Sequence, residues 1–146
     1  MTPAAAPTGY SGTPLAQKLG LKDGQRVMFI SLPKELKDLR KARHFVEIAE
    51  AGWATFTDGD PGYDVIHGFT VSRAELQKAA KPLMEQIDRD GSIWISWPKK
   101  ASKVPTDITE DVIRELVLPI GLVDVKVAAV DDIWSGLKLM IRKELR

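Results

Sequence analysis

Three lysines, Lys99, Lys100 and Lys103, fall within the run Trp97 to Thr106 (WPKKASKVPT), after a strand-like stretch and before a helix start. A helix start beside cations receives anions, because its free backbone N–H groups and its dipole point at the same loop. Trp97, Lys99 and Lys100 are therefore candidate contacts for a negatively charged ligand. His67 is a second candidate, since its ring can exchange a proton near neutral pH. The run Tyr63 to Thr70 would carry His67 and Thr70 toward the carboxyl end of a strand, the edge where open α/β sheets bind ligands. Ser31 and Leu32 follow another apolar strand candidate, and Asp58 stands in a turn beside Gly59.

Several reaction classes lack their residues. No glycine is followed at the Walker spacing by Gly-Lys-Ser or Gly-Lys-Thr, and no serine lies in a Gly-x-Ser-x-Gly elbow. The chain has no cysteine and only two histidines, His44 and His67, so a zinc site would need carboxylates to complete it. The aspartates at 58, 60 and 64 and at 88 and 90 superficially resemble calcium loops, but Phe69 and Lys99 occupy the positions a bidentate glutamate would need. No metal is expected.

Composition narrows the partners. In 146 residues, 21 Lys and Arg face 20 Asp and Glu, a formal net charge of +1. The strong general attraction of a basic protein to nucleic acid or anionic membrane is missing. Arg and Lys also recur at Lys34, Lys37, Arg40, Lys41 and Arg43, where Glu35 and Asp38 offer helix pairing, so a solvated face is expected. No apolar run approaches the roughly 20 residues of a spanning helix, and the start of the chain lacks a secretory apolar segment. A cytoplasmic protein is the expectation.

The elements that would position these residues follow from pattern. Residues 1–12 hold small residues, prolines and glycines and read as a flexible N-terminal arm; residues 13–146 read as a single α/β domain. Thr13 and Pro14 open a short helix. Arg26 to Leu32 is a buried strand, Lys34 to Ala51 a helix with apolar spacing, and Trp53 to Thr57 and Tyr63 to Phe69 are two more strands. Ser72 with Glu75 forms a capping box for a helix closed by Asp90 and Gly91. Ser92 to Trp97 is a strand, Asp107 with Glu110 a second capping pair, and Leu122 to Val130 with Leu137 to Arg142 a terminal hairpin. Strands alternating with helices predict a three-layer, Rossmann-like, mostly parallel sheet with an antiparallel C-terminal hairpin.

That element order resembles the methyltransferase-type Rossmann-like fold, shortened in its middle. SWPKKAS at Ser96 to Ser102, TDITEDVIRE at Thr106 to Glu115, GLVDVKVAAVD at Gly121 to Asp131 and WSGLKLMIRKEL at Trp134 to Leu145 resemble the C-terminal half of a bacterial family of small cytoplasmic proteins of unknown function, and YSGTPLAQKLGLKDG at Tyr10 to Gly24 its start. The topological resemblance implies a cofactor, S-adenosylmethionine, lying against glycine backbone after the first strand, with an acid such as Asp58 on its ribose. Here Ser31, Leu32, Pro33 and Lys34 replace glycine, and Pro33 removes a backbone donor. The leading expectation is thus a non-catalytic ligand-binding or interaction module without cofactor, its partner a small molecule, an anion or a protein. The alternative is a divergent S-adenosylmethionine-dependent methyltransferase-like enzyme. Weak nucleic-acid binding through the lysine-rich loops ranks third. All these candidates are expected on one rim of the sheet.

Overall fold

The computed structural model describes residues 14–146. Helix α1 (Leu15–Lys18) leads to strand β1 (Arg26–Ile30), a 3-10 helix (Lys34–Lys41), β2 (Glu47–Ala51) and β3 (Tyr63–Phe69). Then come α2 (Arg73–Gln86), β4 (Ile87–Pro98), α3 (Glu110–Val117), β5 (Leu122–Ala129) and β6 (Trp134–Ile141). The expected arm and Thr13 lie outside the described residues.

The six strands of the described residues form one sheet in the order β2-β1-β3-β4-β6-β5. The first four are parallel, and β6 runs antiparallel to both β4 and β5. Alternation along each strand divides the core in two. Met28, Ile30, Ile66, Ile93 and Ile95 face α2 and α3, while Val27, Phe29, Val65 and Trp94 face α1 and the 3-10 helix. This is the three-layer Rossmann-like sheet with a terminal antiparallel hairpin that the element order implies. The strand order reverses at β1, with β2 on one side of it and β3 on the other, so the crevice of an open α/β sheet belongs at the carboxyl ends of β1 and β3.

Four elements differ from the sequence reading. The helix expected over Lys34 to Ala51 stops after its 3-10 part, and 47–51 is strand β2. Leu36 and Leu39 suit the three-residue repeat and are buried, and Ala42 and Phe45 continue that spacing only as partly buried residues beyond the 3-10 helix. Past it, Val46 N–H donates to Gln25 O and His44 N–H to Asp23 Oδ1, which draws the chain alongside β1. Trp53 to Thr57 is a series of turns, not a strand. Helix α2 ends at Gln86 rather than at Asp90 and Gly91, which lie within β4. A Cβ on Gly91 would come within 2.8 Å of Asp64 O and 2.9 Å of Tyr63 O, so glycine there admits the β3 backbone where the register shifts. The cap of α3 is Thr109, whose side chain accepts from Val112 N–H at 3.1 Å, not Asp107.

Candidate functional site

The carboxyl ends of β1 to β4 bring Ser31, Leu32, Thr70, Lys99 and Lys100 to one rim. Ser31 is exposed with φ of 55° and donates its N–H to Ala51 O at 2.9 Å, clamping the ends of β1 and β2. Leu32 is half-buried against the α1-side core. Lys99 N–H donates to Ile133 O at 2.7 Å, which ties the loop after β4 to the hairpin turn, and Lys100 is exposed.

Much of this rim is already occupied by the chain itself. Thr70 is buried, and its Oγ1 donates to Glu75 Oε1 at 2.7 Å while accepting from Ser72 N–H. Ser72 Oγ accepts from Glu75 N–H at 3.1 Å, as the capping box requires. The loop returning from β4 lies across the same helix start: Asp107 Oδ1 accepts from Arg73 N–H at 2.6 Å, and Thr106 Oγ1 donates to Val71 O at 2.7 Å. An internal carboxylate thus takes the place an anion would take at the start of α2. The start of α3 repels one, because Glu110 and Asp111 fill its first turn. The helix dipole expected to assist Lys99 and Lys100 is therefore already countered at both helices.

Three expected residues stand elsewhere. Asp58 follows the turn series down to the amino ends of the strands. Gln86 Nε2, at the far end of α2, donates to Phe56 O and Gly59 O on either side of it. Trp97 points into the α2 and α3 core. His67 lies two residues inside the end of β3, 1% exposed, with its ring stacked on Phe69 at 4.3 Å. Its Nε2 shares a hydrogen bond of 2.7 Å with Ser96 Oγ, itself fully buried. Burial pushes the His67 pKa down to about 3. A neutral ring paired with a serine suggests nucleophile chemistry, but neither atom meets solvent. The pair instead satisfies two polar groups inside the sheet.

Sequence reasoning missed Trp53. Its indole Nε1 donates to Phe69 O at 2.9 Å, and its ring lies so close over Gly68 that a Cβ there would come within 2.5 Å of it. Since β1 lies between β2 and β3, a side chain starting two residues past β2 and ending on β3 crosses the end of β1. Trp53 also meets Phe56 edge to face at 5.8 Å. A groove of about 460 Å3 runs from it along α2, past Lys78 and Pro82. The available signal was Gly68 itself, a glycine within a bulky strand, which marks the close approach of another group.

The basic 3-10 segment is partly engaged. Arg40 pairs with Glu50 at 2.9 Å, and Arg43 donates to the Leu21 and Ala42 carbonyls. Among the described residues, no cluster of three or more His, Cys, Asp or Glu side chains could hold a metal, and no helix is long and apolar enough to cross a membrane.

No family model and no curated protein matches the sequence. Solved structures do match the fold. An S-adenosylmethionine-dependent methyltransferase from Aquifex aeolicus is similar at TM-score 0.66 and 16% identity, over 87% of each chain. A sarcosine dimethylglycine methyltransferase of Galdieria sulphuraria, so described provisionally, is similar at TM-score 0.61 and 10% identity, over 86% of this chain and 83% of that one. TrmN from Thermus thermophilus is similar at TM-score 0.56 and 10% identity over 87% of this chain, which spans about half of it (47%). At these identities the likeness is one of fold, the methyltransferase-type Rossmann-like fold.

Proposed function

We propose that this chain uses a methyltransferase-type scaffold for binding rather than for methyl transfer. The observation that carries this reading is Trp53, which reaches from β2 over the end of β1 to β3, where the crevice of the fold would receive a ligand. S-adenosylmethionine, which the fold implies, does not suit these residues. Ser31 stands where bare glycine backbone is needed, Pro33 offers no donor, and Trp53 bars approach over Gly68. Asp58, the acid expected on a ribose, is held at the other end of the sheet by the bonds of Gln86 to its neighbours. Beside this crevice, the groove between Trp53 and α2 is a surface open to a ligand or partner.

A second reading, a divergent methyltransferase-like enzyme, draws its support from the comparisons. The likeness to S-adenosylmethionine-dependent methyltransferases over most of the chain speaks for that reading more than for a non-catalytic module. Exposed Ser31, with its left-handed backbone at the end of β1, is the position where that reading would seat the cofactor. Calorimetric titration with S-adenosylmethionine separates the two. Binding rather than transfer predicts no saturable heat at micromolar cofactor. A saturable micromolar isotherm that Ser31→Arg abolishes, with the variant still folded by circular dichroism, would overturn the first reading and favour the second.

A further inference from the structure

At the amino end of the sheet, the last turns of α2, the start of β4 and the turn Lys143–Leu145 border an open cavity of about 610 Å3. Met84, Ile87, Ile120, Ile141 and Leu145 give it an apolar lining, to which Lys81, Glu85 and Arg89 add charge. That volume lies in the range of pockets for small organic ligands. The wall is tightly built. Gly121 has φ of 117°, and a Cβ on it would come within 2.6 Å of Leu145 Cδ1 and 2.9 Å of Met84 Cε. Arg89 Nη1 donates to Leu145 O at 2.8 Å, and Arg146 Nε donates to Ile141 O at 2.7 Å, so the closing turn is tied to both β4 and β6.

The charge around this cavity has one sign in excess. On the lining Lys81 and Arg89 stand against Glu85, and on the closing turn and its two flanking positions Arg142, Lys143 and Arg146 stand against Glu144. Of the cations, Arg142 lies 3.9 Å from Glu144, while Arg89 and Arg146 spend only one donor each on a backbone carbonyl. Asp88 and Asp90, which flank Arg89 in sequence, line a different cavity with Asp64 and Lys138. An apolar lining beside unneutralised cations matches a ligand that is apolar along its length and anionic at one end.

We infer that this cavity binds a free medium-chain fatty carboxylate, its hydrocarbon along Met84, Ile120 and Ile141 and its head group between Lys81 and Arg89. The site lies at the opposite end of the sheet from Trp53 and is independent of the proposed role of the rim. The test is calorimetric titration of the full chain with decanoate, with decanol and phosphatidylglycerol vesicles in parallel. Saturable one-to-one binding of decanoate, about tenfold or more tighter than decanol, is the expected result. Lys81→Glu, which leaves the Arg89 tie to Leu145 in place, weakens decanoate about tenfold or more with an unchanged thermal midpoint, and Ile120→Glu abolishes binding of both probes. The inference is overturned if decanoate gives no saturable heat, if decanol binds equally well, or if Lys81→Glu is without effect. Capture by vesicles without binding of free decanoate also overturns it, in favour of a membrane surface.

Discussion

His67 is the residue whose environment most changes its chemistry. Buried between Phe69 and Trp94, it titrates near 3, whereas a histidine of the unfolded chain titrates near 6.5. Above pH 6.5 both states are neutral at this residue, and its contribution to stability is complete. As pH falls below that value the unfolded chain takes up a proton that the folded chain refuses, so stability declines by about 1.4 kcal/mol per pH unit until the folded group also titrates. Urea unfolding of wild type and His67→Gln between pH 7 and about 4 checks this, the range following from the two titrations. The wild type should lose stability more steeply with acid, and parallel slopes would dismiss His67 as the cause. Gly68 makes a second residue-scale prediction. Gly68→Ala pushes a methyl into the Trp53 ring and should cost about 1–3 kcal/mol, but little in a Trp53→Ala background, so a double-mutant cycle reads their contact directly. Additive losses would separate the two residues and remove the ground for a filled crevice.

Elements were legible where a local rule fixes them. Strands β1 and β3 are nearly continuous apolar runs because both their faces are covered, and α2 begins at a capping box whose bonds are local. Strand β2 was not legible, since in Glu47-Ile48-Ala49-Glu50-Ala51 only Ile48 is a strong strand former and the segment is held by its neighbour: Arg26 pairs with Glu47, and Ser31 N–H meets Ala51 O. The same holds at the rim. The placement of Ser31, Leu32 and Lys100 followed from strand direction, whereas the position of Trp53 and the removal of Asp58 depend on a connection whose path only tertiary contacts determine. Asp107 shows how a correct local signal can serve a distant partner. Its capping chemistry was readable, but it caps α2 rather than α3, at Arg73 N–H. Arg73 then pairs with Glu115 at 2.6 Å, so one helix start holds both the loop and α3. Asp107→Ala should therefore lower stability by about 1 kcal/mol and raise amide exchange in the first turn of α2, while that of α3 stays protected by Thr109. Loss of protection in α3 alone would return the cap to its sequence neighbour.

At the scale of the whole molecule, the open six-stranded sheet of the described residues has two edges, β2 and β5, and an unpaired strand edge invites pairing with another chain. The two edges are guarded differently. On β2 the outward glutamates are held in ion pairs, Glu47 with Arg26 and Glu50 with Arg40. On β5 the register shifts between Asp124 and Lys126, which breaks the regular row of backbone groups, and Lys126 stands between exposed Val125 and Val127. Lys126 has a cost to the fold. It is registered opposite Lys138 on β6, and the Lys138 pKa is pushed down, first by burial and then by the charges of Lys126 and Lys22. Like charges directly opposite on a sheet destabilise it, so a residue chosen for stability alone would not be lysine. Lys126→Val should consequently move two properties in opposite directions. The thermal midpoint should hold or rise, because the repulsion ends and a β-branched residue replaces a long flexible one. Self-association should increase, because the introduced side chain joins Val125 and Val127 in an uncharged apolar run on an open edge. Sedimentation velocity over a concentration series, paired with thermal unfolding, reads both. A variant that is destabilised, or that sediments as the wild type does at every concentration, would show that Lys126 is not kept to guard this edge.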